Sequence, residues 1–360
     1  MERIFITQIL PERYILQYKL SIAACNFSLN LINGGCFNKV YSILGSNVGG
    51  KIDDDAYNDS RFELIYYTFL RVRGRTAKIL ASFVEQWKIF RLIPLNSSVW
   101  FYNATTINFI LYFLLRLFKR SVQINIIQLD FTPSKKIISK SQLSLYVINN
   151  SHGNIRLSNW PLFTNLNSII LPGVVPITKE TYPRIEHLNN SFLLSGALYE
   201  NIAQTSMVLD AFSTLSNCEL HITGVIDDES KLKDYSSQFH NIIWHGQVSY
   251  KEYLNILHSC TFLLSTRDEN YPENQCNFPS KIIEALLHNR VVISTIEYQQ
   301  ISGILYYRVN SEKNSFIKRI IELLNMSDSD ILKYANQGLQ IERLYNTEVW
   351  KNSMEQIEAK

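Results

Sequence analysis

Between residues 266 and 288 the chain reads Thr266-Arg-Asp-Glu-Asn-Tyr-Pro-Glu-Asn-Gln-Cys-Asn-Phe-Pro-Ser-Lys-Ile-Ile-Glu-Ala-Leu-Leu-His288, its densest run of polar chemistry. A short apolar run precedes it, and the apolar spacing after Ser280 is that of a helix. Pro279 suits a first helical turn, because its missing N–H is one that a helix leaves unpaired there. A helix therefore opens at the carboxyl end of a strand, where backbone N–H groups and the positive end of the helix dipole favour a diphosphate. Phe278 and Ser280 flank that opening, and Arg267 and Lys281 add full positive charge. Glu284, in the second turn, offers two acceptor oxygens to adjacent hydroxyl groups of a ring such as ribose. Taken singly, Lys281 and Glu284 read equally as solvated charges on a helix face; the order of the whole segment is what points to anion binding. Asn270, Asn274 and Asn277 either bind hydroxyl groups or form turns, the commoner use of loop asparagine.

Other constellations offer less. Asp130 ends the apolar run Ile124-Asn-Ile-Ile-Gln-Leu-Asp130, where it can orient a hydroxyl or accept its proton, or cap the turn made by Thr132 and Pro133. The five cysteines, Cys25, Cys36, Cys218, Cys260 and Cys276, are far apart and form no C-x-x-C pair, which argues against a zinc site or a disulfide framework. Cys276 has no histidine near it in sequence and reads as a packing cysteine. The seven histidines show neither H-x-x-x-H nor H-E-x-x-H spacing, so no metal and no cofactor is expected. His152 is a weak candidate for a group on the first half's side of the site.

The elements that must position these residues alternate along nearly the whole chain. Strand-length apolar runs fall at residues 3–9, 39–44, 98–102, 123–130, 154–158 and 168–171, then at 191–195, 219–224, 241–244, 261–265 and 291–295. Helix-period stretches lie between them. Residues 76–93 are one, with Ile79, Leu80, Phe83, Val84, Trp87 and Phe90 at helical spacing as a stripe expected to face the core. Others are expected at about 203–215, 250–259, 280–288 and 313–324. Alternation of this kind is the pattern of parallel sheets covered by helices. Leu171-Pro-Gly-Val-Val-Pro176, with the polar stretch that follows, punctuates the series as a linker. Two α/β domains are therefore expected, residues 1–173 and 174–344, with a terminal helix at about 345–360 crossing back onto the first. Their ligand would sit in a cleft beside the carboxyl ends of the strands.

Composition agrees with a chain that folds throughout: 360 residues, 46% hydrophobic and 19% charged. A formal charge of +3 is too small for a nucleic-acid footprint. Glu12 and Arg13 interrupt the amino-terminal segment before a signal-peptide core could form, and the apolar stretch 107–118 is too short to span a bilayer, so a cytoplasmic location is expected.

With these residues in view, Phe278-Pro-Ser-Lys-Ile-Ile-Glu-Ala-Leu-Leu-His-Asn-Arg-Val-Val-Ile-Ser-Thr295 resembles the nucleotide-binding signature of the family 4, or group 1, glycosyltransferases. The flanking pieces are similar too. Ser191-Phe-Leu-Leu-Ser-Gly-Ala197, then Val208-Leu-Asp-Ala-Phe212, resembles the opening strand, glycine turn and helix of that family's donor domain, placing Gly196 at the donor. Glu219-Leu-His-Ile-Thr-Gly224 and Asn241-Ile-Ile-Trp-His-Gly246 resemble the next two strand ends, placing Gly224 there as well. The resemblance covers nearly all of the second half and is looser in the first, where Ala23 to Asn33 and Gln128-Leu-Asp-Phe-Thr-Pro133 resemble a helix and a strand end facing the cleft.

The resemblance implies the GT-B architecture: two Rossmann-like domains facing each other across a cleft. It implies transfer of a sugar from a nucleoside diphosphate sugar to a hydroxyl of a glycan or lipid-linked acceptor, with retention of configuration, in assembly of a cell-surface polysaccharide such as capsule or lipopolysaccharide. Catalytic roles fall to Asp130, Lys281 and Glu284, and donor contacts to Gly196, Gly224, Arg267, Asn270, Asn274, Asn277, Phe278, Pro279, Ser280, Lys281 and Glu284. Two departures stand out. Cys276 occupies the place of the first motif glutamate, and Leu198-Tyr-Glu-Asn-Ile-Ala203 lacks the arginine and lysine common after the glycine turn, leaving Arg267 and Lys281 to face the diphosphate. A sugar-nucleotide epimerase of the same fold, or a degenerate binding subunit without activity, would share much of this pattern. Arg71, Arg73 and Arg75, with the helix ending Leu114-Leu-Arg-Leu-Phe-Lys-Arg120, fit either peripheral contact with the inner membrane surface or a buried helix with snorkelling ends.

Overall fold

In the computed structural model, residues 1–9, 14, 22–43, 60–65, 75–134, 136, 139–176 and 182–360 are described. Of the basic cluster, Arg71 and Arg73 lie outside these residues, as does the side chain of Arg75. The chain divides into two compact units: Met1–Ile177 with Tyr345–Lys360, and Thr178–Leu344.

In the first unit, β1 (Arg3–Thr7), β2 (Lys39–Ile43), β3 (Phe62–Ile65), β4 (Ser98–Tyr102), β5 (Gln123–Gln128), β6 (Gly153–Arg156) and β7 (Ser168–Ile170) form a seven-stranded sheet in the order β3-β2-β1-β4-β5-β6-β7. Every pairing is parallel. Helices α1 (Ile22–Asn33), α2 (Arg75–Leu92), α3 (Phe109–Phe118) and α4 (Lys140–Asn150) connect strands of this sheet. β3 has no counterpart in the sequence reading: it is a four-residue edge strand, too short for its alternation to register. Several strands stop two residues earlier than their apolar runs, β5 at Gln128 and β6 at Arg156 among them, because the last apolar side chains fold into the turns.

Helix α2 corrects the expected core stripe. Ile79, Leu80, Phe83, Val84 and Trp87 are exposed and Phe90 is half-buried, while the buried face carries Ala81, Glu85, Gln86 and Ile89. The cause is a polar contact: the Gln86 side chain accepts a hydrogen bond from the Leu111 backbone N–H at 2.7 Å and donates to Ser82 at 2.8 Å. Small and hydrogen-bonded residues thus bring α2 close to α3.

The second unit repeats the design. β8 (Ser191–Ala197), β9 (Glu219–Val225), β10 (Ile242–Trp244), β11 (Phe262–Ser265), β12 (Val291–Ser294) and β13 (Tyr307–Arg308) pair in the order β10-β9-β8-β11-β12-β13, again all parallel. Helices α5 (Thr205–Phe212), α6 (Ser230–Gln238), α7 (Tyr250–Ser259), α8 (Lys281–Leu287), α9 (Lys313–Leu324) and α10 (Gly338–Tyr345) complete it. Phe192, Leu194, Phe212, Leu220, Ile222, Phe262, Ile293, Phe316 and Ile320 share one buried core. Burying each contributes about 1.5–3 kcal/mol. In both units the strand order reverses between the first strand and the fourth, a switch point that leaves a crevice at the carboxyl ends.

The last helix, α11 (Thr347–Glu358), lies on the first unit after a break at Asn346, whose side chain caps it. Gly34 and Gly153 let it approach: a Cβ on Gly34 would stand 2.4 Å from the Thr347 side chain, and one on Gly153 2.3 Å from Ile357. Trp350 donates to the Gly173 carbonyl at 2.9 Å. Glu358 accepts from Arg3 Nε and Nη2 at 2.9 and 2.7 Å, from Ser98 at 2.6 Å and from Trp100 at 2.9 Å. Burial works to raise its pKa, but these bonds and the charge of Arg3 outweigh it and hold the carboxyl below 4.5. The stability it contributes is therefore complete above pH 4.5 and lost as pH falls through its lowered value. Glu358→Ala should cost about 3 kcal/mol in urea unfolding at neutral pH, since it removes every hydrogen bond that the Glu358 carboxylate accepts and leaves the Arg3 guanidinium only the looser Glu355 at 3.6 Å; an unchanged midpoint would contradict this.

Candidate functional site

The site in the second unit grows from its switch point. Gly196 and Gly224, each one residue before the end of β8 and of β9, are partners in register. Gly224 has φ +149°, and a Cβ there would lie 2.0 Å from the Gly196 carbonyl oxygen, so only glycine lets the two strand ends stay adjacent. Gly196 has φ +113°, and a Cβ on it would meet the Lys281 Cε at 3.1 Å and Nζ at 3.2 Å. Lys281, the first residue of α8, thus lays its ammonium against the glycine turn. On the other side it stands over the Tyr253 ring, 4.9 Å from the centroid. Desolvation in this setting pulls its pKa down to about 8, against the opposing pull of Glu284.

Glu284 lies one turn further on. Its two carboxylate oxygens accept hydrogen bonds from the hydroxyls of Tyr250 and Tyr253, each at 2.9 Å. These tyrosines sit one turn apart at the start of α7, which is fixed by a capping box between Ser249 and Glu252. Burial, then Glu284, raises the pKa of both phenols, so they remain donors at any ordinary pH. A carboxylate with about four lone-pair sites keeps acceptor capacity after receiving two bonds.

The loop after β11 is organised differently. Arg267 donates from its backbone N–H to the Thr295 hydroxyl at 2.6 Å and from Nη1 to the Asn274 side-chain Oδ1 at 3.1 Å. Asn274 is buried and donates to the backbone carbonyls of Asn201 and Asp268. It is therefore committed to holding the loop and Arg267. Asn270 is exposed and bonded to Asp268, and Asn277 is half-buried. Cys276 is buried at the end of a short helical segment, Pro272–Cys276, with its thiol towards the carbonyls of Pro272 and Glu273. Phe278 is buried edge-to-face against Tyr298. Pro279 precedes the helix cap Ser280 rather than standing in the first turn, and its carbonyl accepts from Ile282. With only seven residues in α8, the Lys281 cation carries more of the positive field than the helix dipole does.

The structure thus brings Gly196, Gly224, Lys281 and Glu284 together, and holds Arg267 through Asn274. Tyr250 and Tyr253 belong to the same group and escaped the sequence reading. The one available signal was their i, i+3 spacing behind Ser249.

The first unit has its own crevice at the equivalent position. A cavity of about 40 Å³, larger than the volume of a water molecule, is lined by Thr7, Gln8, Tyr102, Asn103 and Asn108 among others, all at the carboxyl ends of β1 and β4 or just beyond. The Tyr102 hydroxyl is buried with no hydrogen-bond partner among the described residues. Burial, then Asp130 and Cys25, raises its pKa well above the ordinary value. Asp130 is exposed beyond the end of β5, and its carbonyl accepts from Gln128 at 2.5 Å. His152 precedes β6 and so stands at the amino edge of the parallel sheet, the opposite edge from Asp130. Among the described residues no group of three or more His, Cys, Asp or Glu could hold a metal ion.

Comparison with known proteins follows these two sheets. Anabaena HepE in complex with UDP superposes with a TM-score of 0.69 at 11% identity, over 100% of both chains. The fold is GT-B. The N-terminal domain of Candida albicans trehalose-6-phosphate phosphatase gives 0.68 at 13%, over 98% of this chain and 96% of that one. A UDP-forming α,α-trehalose-phosphate synthase from Burkholderia vietnamiensis gives 0.66 at 8%, over 100% of both. Residues 189–326, all within the second unit, match the family model described as glycosyl transferases group 1. No curated protein matches the chain by sequence.

Lys281 supplies a stability test. Below pH 8 both folded and unfolded chains keep its proton, and the folded form bears the cost of a crowded cation. Between pH 8 and the usual 10.5 only the unfolded chain keeps it, so the stability contributed by this group rises with pH. Lys281→Met should be at least as stable as the wild type at pH 7, with the difference closing towards pH 10.5 in paired denaturant midpoints. A variant destabilised equally at both pH values would contradict the assignment.

Proposed function

We propose that this GT-B protein is a glycosyltransferase that moves a sugar from a nucleoside diphosphate sugar to a hydroxyl of a glycan or lipid-linked acceptor. The observation that carries the reading is the Lys281 ammonium held against the glycine turn of Gly196, with the Glu284 carboxylate one helical turn away. That pair matches the two ends of a nucleoside diphosphate, an anion and a vicinal diol. The match of residues 189–326 to the group 1 family supports the same reading. UDP is named for HepE and for the Burkholderia synthase, which makes uridine the first base to test.

In this mechanism the bond from the anomeric carbon to the diphosphate oxygen breaks as the acceptor oxygen bonds to that carbon. Lys281 and Arg267 neutralise the charge that grows on the leaving group. Gly196, Gly224 and the segment from Phe278 through Pro279 to Ser280 shape the diphosphate's seat. Glu284 binds the ribose, oriented by Tyr250 and Tyr253. Asn270 and Asn277 contact the donor sugar, whereas Asn274 serves through Arg267. On the first unit, Asp130 beside Tyr102 orients the acceptor hydroxyl or takes its proton. We assign leaving-group stabilisation to these cations rather than to a metal, and take transfer to be retaining, as the family resemblance implies. The proposed setting is cell-surface polysaccharide assembly at the inner face of a membrane.

The test compares UDP with 2′-deoxy-UDP by calorimetry. Glu284→Ala should weaken UDP binding roughly 10- to 100-fold, the loss expected for a hydrogen bond to a charged group, and should abolish the preference for the ribonucleotide. Lys281→Ala should lower both affinity and turnover. If donor affinity and turnover were unchanged in both variants, the residue assignment would be wrong. Conversion of a donor sugar without acceptor would instead identify an epimerase, and binding without hydrolysis or transfer a degenerate subunit.

A further inference from the structure

Helix α2 turns an apolar face outward. Ile79, Leu80, Phe83, Val84 and Trp87 are between 38% and 62% exposed, values at which buried packing cannot be their role. The face is continuous with the end of α3. Phe83 stacks on Trp87 at 6.0 Å, Trp87 packs on Phe90 at 5.2 Å, and Phe90 meets Phe118 edge-on at 6.3 Å. Leu117 and Phe118 extend it, 60% and 68% exposed. Large contiguous apolar surface of this kind marks an interaction site.

Charge selects the occupant. Lys88 and Arg91 continue the same stripe of α2 one turn beyond Val84 and Trp87, and Arg116 and Arg120 flank Leu117 and Phe118; all four are exposed. Between Arg75 and Arg120 the only acidic residue is Glu85, and it is buried. Lys119 lies over the Phe90 ring at 4.6 Å and donates to the Phe90 carbonyl, adding a further cation beside the aromatic ladder. Two copies of such a face would set like charges against each other, which opposes a symmetric dimer. Aromatic and aliphatic side chains ringed by arginine and lysine fit the boundary of an anionic bilayer, where apolar groups enter the acyl region and cations meet lipid phosphates.

We infer that the outer face of α2 and the end of α3 form a docking surface for an anionic lipid bilayer, with Phe83, Trp87 and Phe118 as inserted anchors. No helix among the described residues is long and apolar enough to cross a membrane, and the contact is made from one side. The inference goes beyond the donor site and needs nothing from it.

Vesicle co-sedimentation tests it, with phosphatidylglycerol–phosphatidylcholine vesicles against phosphatidylcholine alone. The full chain should bind the anionic vesicles and bind less as salt is raised. Phe83→Ser with Trp87→Ser, and separately Arg91→Glu with Arg116→Glu, should each reduce binding at least tenfold while leaving the UDP thermal shift unchanged. Because these side chains are exposed, folding should survive, and circular dichroism and the thermal midpoint verify that. Indifference to lipid charge, or binding that persists in both variants, would overturn the inference. So would an oligomer, seen by sedimentation, that dissociates in the Ser variant while vesicles are ignored. Loss of UDP binding with vesicle binding intact would count against the donor site only.

Discussion

The site in the second unit depends on one crowded cation. Lys281 is held where the backbone of Gly196 leaves room for it, with an aromatic ring on one side and a carboxylate a helical turn away. An ammonium in that position is costly without an anion, and its depressed pKa expresses the cost. A diphosphate would relieve it. The two glycines, the tyrosines of α7 and the buried Asn274 all serve to keep this group, its carboxylate neighbour and Arg267 in place.

The same sheet topology serves both units, yet the two crevices differ in chemistry. In the second, charged groups are concentrated at the switch point between β8 and β11. In the first, the corresponding cavity is lined by neutral polar side chains and a buried phenol, with Asp130 at the next strand.

Much of the fold was legible because the central strands are buried on both faces and therefore appear as continuous apolar runs, as in β5 and β11. β3 was not, being a short edge strand. The orientation of α2 was not legible because a helix is turned by its tertiary partners, and here Gln86 finds a backbone donor on α3 while Trp87 faces outward. At the site, residue types in the 267–284 segment could be read, but their partners could not. Tyr250 and Tyr253 lie 34 and 31 residues from Glu284 in sequence, and nothing local announces that they meet it. The conversion of Asn274 from ligand contact to internal brace was equally hidden, since only packing shows which amides are already engaged.

Proton uptake on nucleotide binding tests the central claim most directly. Calorimetric titration of UDP in buffers of different ionisation enthalpy, at pH values below and above 8, counts the protons taken up. A diphosphate seated on Lys281 should raise its pKa back towards 10.5, so binding above pH 8 should take up close to one proton per UDP and binding well below it close to none, with the uptake absent in Lys281→Met. UDP binding with no uptake at either pH, or with uptake that persists in the methionine variant, would contradict the placement of the diphosphate at Lys281.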